Sequence, residues 1–212
     1  MDTPAPTISS FAQLKAAEAE CTRCPLYRDA TQVVPGEGPA KAHVLIVGEQ
    51  PGDREDIAGK PFVGPAGRVL DQALEEAGIE RSDTFVTNAV KHFKHEMRGK
   101  RRLHKKPNAY EIDRCKWWLH IERALLKPSV VIALGATAAR SLIGRAVSIA
   151  SVRGHPIELA DHSRLVVTIH PSYLLRIREE ADKRREYAGF LKDLKLAAAL
   201  FAEQQPRKAA AR

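Results

Sequence analysis

Short, fully apolar runs alternate along this chain with stretches whose apolar residues recur at helical spacing. His43-Val-Leu-Ile-Val-Gly48, Thr84-Phe-Val-Thr-Asn88, Ser129-Val-Val-Ile-Ala-Leu-Gly135 and Leu165-Val-Val-Thr-Ile169 have the length and β-branched content of buried strands. Helical patterns cover Phe11 to Glu20, Ala66 to Ala77, Ala109 to Leu126 with Asn108 as N-cap, Ala136 to Ile143, and Asp182 to Ala202. Strands without polar alternation, each followed by a helix, predict an α/β fold: a three-layer α/β/α sandwich around a mostly parallel four-stranded central sheet. The chain reads as a single domain over 1–212 with frayed, polar ends at about 1–10 and 204–212. In such sheets ligands bind beyond the carboxyl ends of the strands. That selects four loops: Gly48 to Gly67, Asn88 to Pro107, Gly135 onward, and His170 to Arg176.

Charge narrows the ligand. The formal net charge is +8 and aromatic residues make up only 6%, which points to a polyanion such as nucleic acid, a merely solvated basic surface being the plainer alternative. No run approaches the roughly 20 apolar residues of a membrane span and no secretory pattern opens the chain, so a cytoplasmic protein without a membrane partner is expected. Of three cysteines, two form Cys21-Thr-Arg-Cys24. In a reducing compartment that spacing suits a metal or cluster better than a disulfide.

The strand-end loops carry the candidate chemistry. In Gly48-Glu-Gln-Pro-Gly52 the glycines Gly48 and Gly52 let the backbone approach a ligand, while Glu49 and Gln50 project from the strand end. Gly59-Lys-Pro-Phe62-Val-Gly64-Pro-Ala-Gly67 surrounds one aromatic ring with glycines, so Phe62 either stacks on a flat ligand or fills the core. Asn88 offers a donor and an acceptor side by side, as the edge of a pyrimidine requires, or simply closes a turn. His170-Pro-Ser-Tyr-Leu-Leu-Arg176 supplies a histidine followed by apolar and basic tips fit to enter a base stack and meet phosphates.

Together these motifs resemble the uracil-DNA glycosylase superfamily, most closely its iron-sulfur members of the type-four kind, over nearly the whole chain from Cys21 to Arg176. The resemblance implies that Phe62 stacks on a flipped uracil, Asn88 reads its Watson-Crick edge and His170 stabilises the departing base, with Ser172 and Arg176 on the DNA. It also implies a 4Fe-4S cluster. Four cysteines are usual in that group, but here His92 stands at the third place, so the ligand set becomes Cys21, Cys24, His92 and Cys115; three Cys and one His also describe a structural zinc site, the alternative to the cluster.

A second departure is the insertion from Phe93 to Pro107, whose run Lys100-Arg-Arg-Leu-His104-Lys-Lys106 resembles the UdgX group, as does Gln50 in the first motif. In that group the loop histidine attacks the sugar and leaves the protein bonded to DNA. Here that residue is His104, with Lys100, Arg101, Arg102 and Lys105 expected on phosphates. A neutral imidazole can trap the electron-poor C1′ left when uracil departs, and a carboxylate such as Glu49 can accept its other ring proton. The implied protein is a monomeric, single-turnover glycosylase with a preference for single-stranded DNA. The alternatives are a turnover enzyme using a water positioned by Glu49 or Gln50, and a noncatalytic nucleic-acid binding module.

Overall fold

A computed structural model describes residues 8–204. In chain order, α1 (Phe11–Ala19) leads to β1 (Val44–Gly48), α2 (Asp53–Ala58), α3 (Pro65–Ala77), β2 (Thr84–Asn88), and a hairpin of β3 (His95–Arg98) and β4 (Arg101–His104). Then follow α4 (Ala109–Leu126), β5 (Val130–Leu134), α5 (Ala136–Ile143), α6 (Ile149–Val152), β6 (Ile157–Glu158), β7 (Arg164–Thr168), α7 (Pro171–Leu174) and α8 (Glu180–Gln204).

The sheet runs β2-β1-β5-β7-β6. Its first four strands are parallel, as the apolar runs predict, and β6 pairs antiparallel with β7. The expected four-stranded sheet thus gains a fifth member, a two-residue edge too short to leave a period in the sequence. Successive side chains of the central strands point to opposite faces, and two separate cores result. Ile46, Val86, Ile132 and Val166 pack on Leu70 and Leu74 of α3 and on Phe190 and Leu194 of α8. Leu45, Phe85, Val131 and Val167 pack on Leu119 of α4 and Ala138 of α5. Burial on both faces is why these strands read as unbroken apolar runs.

Helix ends follow local chemistry. Asn108 Oδ1 accepts the Glu111 N–H at 2.9 Å while Glu111 Oε2 accepts the Asn108 N–H at 2.7 Å, a reciprocal cap that starts α4 just after the hairpin. The frayed-end expectation falls largely on 1–7 and 205–212, outside the described residues. Within them, Ser10 accepts the Gln13 N–H as N-cap of α1, and Gln204 belongs to α8.

The hairpin is the main departure from the expected loop. Gly99, at φ 60°, opens a two-residue turn between β3 and β4, the conformation that tight hairpins require at that position. Among the described residues, no helix is long and apolar enough to cross a membrane.

Candidate active site

Parallel strands place Glu49, Asn88, Gly135 and His170 along one edge of the sheet, and there a cavity of about 600 Å³ opens. Glu49, Phe62, Asn88, His104, His170 and Arg176 line it. Three of the four strand-end loops read from sequence therefore line one cavity, and the fourth reaches it through the Thr137 bond to Glu49.

One wall depends on glycine. A Cβ on Gly48 would stand 2.3 Å from Asn88 Oδ1 and 2.7 Å from the Phe62 ring, so both side chains close over a residue without one. Phe62 itself has φ 58°, a left-handed conformation costing on the order of 1–3 kcal/mol for a non-glycine residue and common at ligand sites. It is held there by Gly67, whose absent Cβ leaves room for the Phe62 carbonyl. The ring lies 5.9 Å from that of His170 at an interplanar angle of 27°, parallel enough for a flat ligand to share the direction. Glu55, which the sequence reading missed, joins the two glycine loops by accepting the Gly52 N–H at 2.7 Å and the Gly64 N–H at 3.3 Å.

The cavity's two imidazoles differ in chemistry because their partners differ. His170 Nδ1 accepts the Ser172 backbone N–H at 3.1 Å and lies 2.8 Å from Ser172 Oγ. Since Nδ1 is an acceptor, the ring proton sits on Nε2. Burial, reinforced by Arg176 and His104 against the pull of Glu49, drives the His170 pKa down to about 4, so the ring stays neutral. Ser172, expected on DNA, fixes this tautomer from the cavity wall.

His104 is half-exposed and faces Glu49, Nε2 to Oε1, at 3.3 Å. A carboxylate only accepts, so Nε2 carries the proton and the other ring nitrogen keeps its lone pair. Thr137 Oγ1 donates to Glu49 Oε2 at 2.6 Å and fixes the second oxygen. Burial alone pushes the Glu49 carboxyl up, but the bonds from His104 and Thr137 outweigh it and hold the group below its usual range. Thr137, at the start of α5, gave no signal in the sequence because a helix-opening threonine is usually only a cap.

Two further residues hold the hairpin that carries His104. The Gln50 carboxamide donates to the Lys94 and Lys105 carbonyls at 3.1 and 3.2 Å and accepts the Lys94 N–H at 3.1 Å, clasping the base of the hairpin. Gln50, expected among the catalytic groups, lies on the cavity and spends these bonds on the backbone that carries the loop. Arg102, expected on a phosphate, has partners within the chain. Its guanidinium bonds Asp53 Oδ1 and Asp56 Oδ2 at 2.6 Å each and Thr31 Oγ1 at 2.9 Å, 5.5 Å above the Phe93 ring. Lys105 pairs with Glu96 at 2.6 Å on the surface. Lys100 and Arg101 lie exposed at the hairpin tip and Arg176 at the cavity rim, where they can meet an anion.

Cys21, Cys24 and Cys115 gather in one buried cluster with Trp118 and Val90. Cys115 Sγ accepts the Lys91 N–H at 3.2 Å and Cys21 Sγ the Trp118 indole N–H at 3.1 Å. Burial pushes the Cys115 thiol up to about 12 and raises Cys24 as well. These are soft donors in a dry pocket with N–H groups aimed at sulfur, a setting that fits a cluster or zinc. His92 is buried on the turn after β2, and burial lowers its pKa. As placed, no three His, Cys, Asp or Glu side chains among the described residues converge into a metal-binding group.

The family model described as the uracil DNA glycosylase superfamily matches residues 35–195. A type-4 uracil-DNA glycosylase of Thermotoga maritima is 40% identical over 166 residues, covering 78% of this chain and 83% of that protein. Another, from Pyrobaculum aerophilum, is 38% identical over 74% of this chain and 80% of its own length. A third, from Archaeoglobus fulgidus, is 31% identical over 81% and 87%.

An NMR titration of the His170 ring tests the electrostatics of the cavity directly. Its resonances are expected to hold steady through the ordinary histidine range and move only as pH nears about 4; a midpoint near 6.5 would contradict the burial argument. Because the unfolded chain protonates first, the same shift makes stability fall as pH drops from 6.5 toward about 4.

Proposed function

The chain belongs to the uracil-DNA glycosylase superfamily, and from that premise we propose that it excises uracil from DNA and captures the resulting sugar through His104. The observation that carries this reading is the Glu49–His104 contact at 3.3 Å beside a cavity already lined by Phe62, Asn88 and His170. A water-using enzyme needs only a carboxylate there. An imidazole that keeps a lone pair beside that carboxylate is a stronger nucleophile than water and is already in place.

A base in the stack is out of reach, so the nucleotide must flip into the cavity. Phe62 then stacks on the ring and the Asn88 carboxamide pairs with its edge. The C1′–N1 bond breaks with its electron pair leaving on uracil, and the His170 Nε2–H donates to the oxygen on which that negative charge gathers. Neutral His170 suits this role, because it donates a hydrogen bond without titrating. C1′ is left electron-poor, and the free lone pair of His104 forms the new N–C1′ bond. The imidazolium so formed rests against Glu49, which accepts its Nε2 proton; a proton from solvent completes the uracil.

Lys100, Arg101 and Arg176 hold phosphates, giving affinity that weakens with salt. Single strands are the preferred form, since flipping costs least where no pairing is broken, and the protein acts as a monomer. Cys21, Cys24, Cys115 and His92 would hold a 4Fe-4S cluster, with structural zinc as the alternative. When bound, such a group supplies a rigid cross-link between the end of α1, the turn after β2 and the middle of α4. No step of the reaction runs through it.

Two measurements test this reading. Incubated with uracil-containing single-stranded DNA and then denatured in SDS with heat, the protein is expected to give a slower-migrating covalent band. His104→Ser is expected to lose that band while free uracil is still released. A band that persists in His104→Ser, or abasic DNA without any band from the parent protein, would overturn the capture step. Purified protein is also expected to be brown with broad visible absorbance; colourless protein containing stoichiometric zinc would replace the cluster by zinc.

A further inference from the structure

Lys91 is fully buried, and so is its partner Glu122, at 2.7 Å. A buried ion pair of this kind rarely contributes more stability than apolar residues of the same volume. Stability alone therefore does not explain why this residue is lysine.

Its hydrogen bonds point elsewhere. The ammonium has three N–H donors and each has an acceptor: Glu122 Oε2 at 2.7 Å, Thr87 Oγ1 at 2.5 Å and the Asn88 carbonyl at 3.1 Å. Thr87 Oγ1 in turn donates to Glu122 Oε1 at 2.8 Å, closing a ring of bonds behind the end of β2. The next residue along, Ala89, donates its N–H to Gly48 O at 2.9 Å. The peptide joining Asn88 to Ala89 is thus held at its oxygen by Lys91 and at its nitrogen by β1. The Asn88 side chain leaves from that peptide, and its Oδ1 lies against Gly48, where no Cβ can stand.

We propose that Lys91 is a positioning residue for the reaction: by fixing the Asn88 carbonyl it aims the Asn88 carboxamide at the base. This rests on the reading that Asn88 meets the flipped uracil. Main-chain bonds tie the same residue to its surroundings, since the Lys91 N–H donates to Cys115 Sγ at 3.2 Å and its carbonyl accepts from Val34 at 2.9 Å. Lys91 is therefore anchored independently of the ligand. A rotation of the peptide at 88–89 would swing the carboxamide, and misplacement by an ångström is enough to cost a reaction on the order of a hundredfold.

The test uses the full chain and a double variant, Lys91→Met with Glu122→Gln, which removes the cation together with the carboxylate bonded to it; burial raises the nearby Glu18 to about 8, so that group is left as a neutral acid. Single-turnover uracil release is expected to fall roughly tenfold or more while affinity for DNA without uracil is unchanged and unfolding stays cooperative. In an Asn88→Ala background the same pair of changes is expected to cost nothing further, because Lys91 acts through Asn88. Loss of rate that multiplies in that background, or no loss in the parent, would overturn the proposal. The Asn88 side-chain amide resonance of ¹⁵N-labelled protein provides a readout independent of activity. It is expected to shift in the double variant; if it does not, Lys91 does not set the carboxamide. Should the parent protein release no uracil, the proposed function fails, and the resonance still decides the role of Lys91.

Discussion

Everything distinctive about this cavity follows from one contact, the carboxylate of Glu49 against the ring of His104. Glu49 is fixed by the fold, because it follows the last residue of a strand buried on both faces and Thr137 holds its second oxygen. His104 is not. It reaches the cavity on a two-stranded hairpin outside the sheet, and an isolated hairpin has little stability of its own. The contact can persist only if the hairpin is held from outside, and the structure shows two tethers. Gln50, the neighbour of Glu49, clasps its base, and Arg102, two residues before His104, locks its second strand onto Asp53 and Asp56. Each net hydrogen bond contributes only about 1 kcal/mol, and those to charged groups somewhat more, so it is the set that fixes the geometry.

The two imidazoles illustrate how partners assign roles to one residue type. His170 is held by two groups of Ser172 and kept neutral by burial. It can donate but has no free lone pair, which suits stabilising a departing anion. His104 donates to a carboxylate and keeps its second nitrogen free, which suits attack on an electron-poor carbon. In the proposed reaction the leaving group and the nucleophile are therefore served by separate histidines on separate elements.

Much of this was legible in the sequence, and the rest was hidden for physical reasons. Doubly buried strands such as Val44–Gly48 announce themselves as apolar runs, and parallel order then puts Glu49, Asn88 and His170 at one edge without further information. The hairpin was missed because β3 and β4 are mostly solvent-facing and charged, leaving no apolar alternation to read. The tether made by Arg102 was hidden for the same reason: in a run of five basic residues nothing local says which guanidinium meets Asp56, a buried carboxylate 46 positions away. Gln50 and Thr137 were invisible in their roles because both act through partners far off in the chain. Lys91 gave no signal in the sequence, because nothing local shows that Glu122 of α4 closes over it.

The central claim is that the ring of His104, and no other group, ends up bonded to the sugar. Mass spectrometry of the denatured protein-DNA product, after nuclease and protease digestion, measures this directly. A deoxyribose remnant is expected on the peptide containing His104, with fragment ions placing the added mass on that imidazole. A remnant on a lysine amine such as Lys100 or Lys105 would contradict it, because the link would then be a Schiff base to an opened abasic sugar and the Glu49–His104 contact would have no part in it.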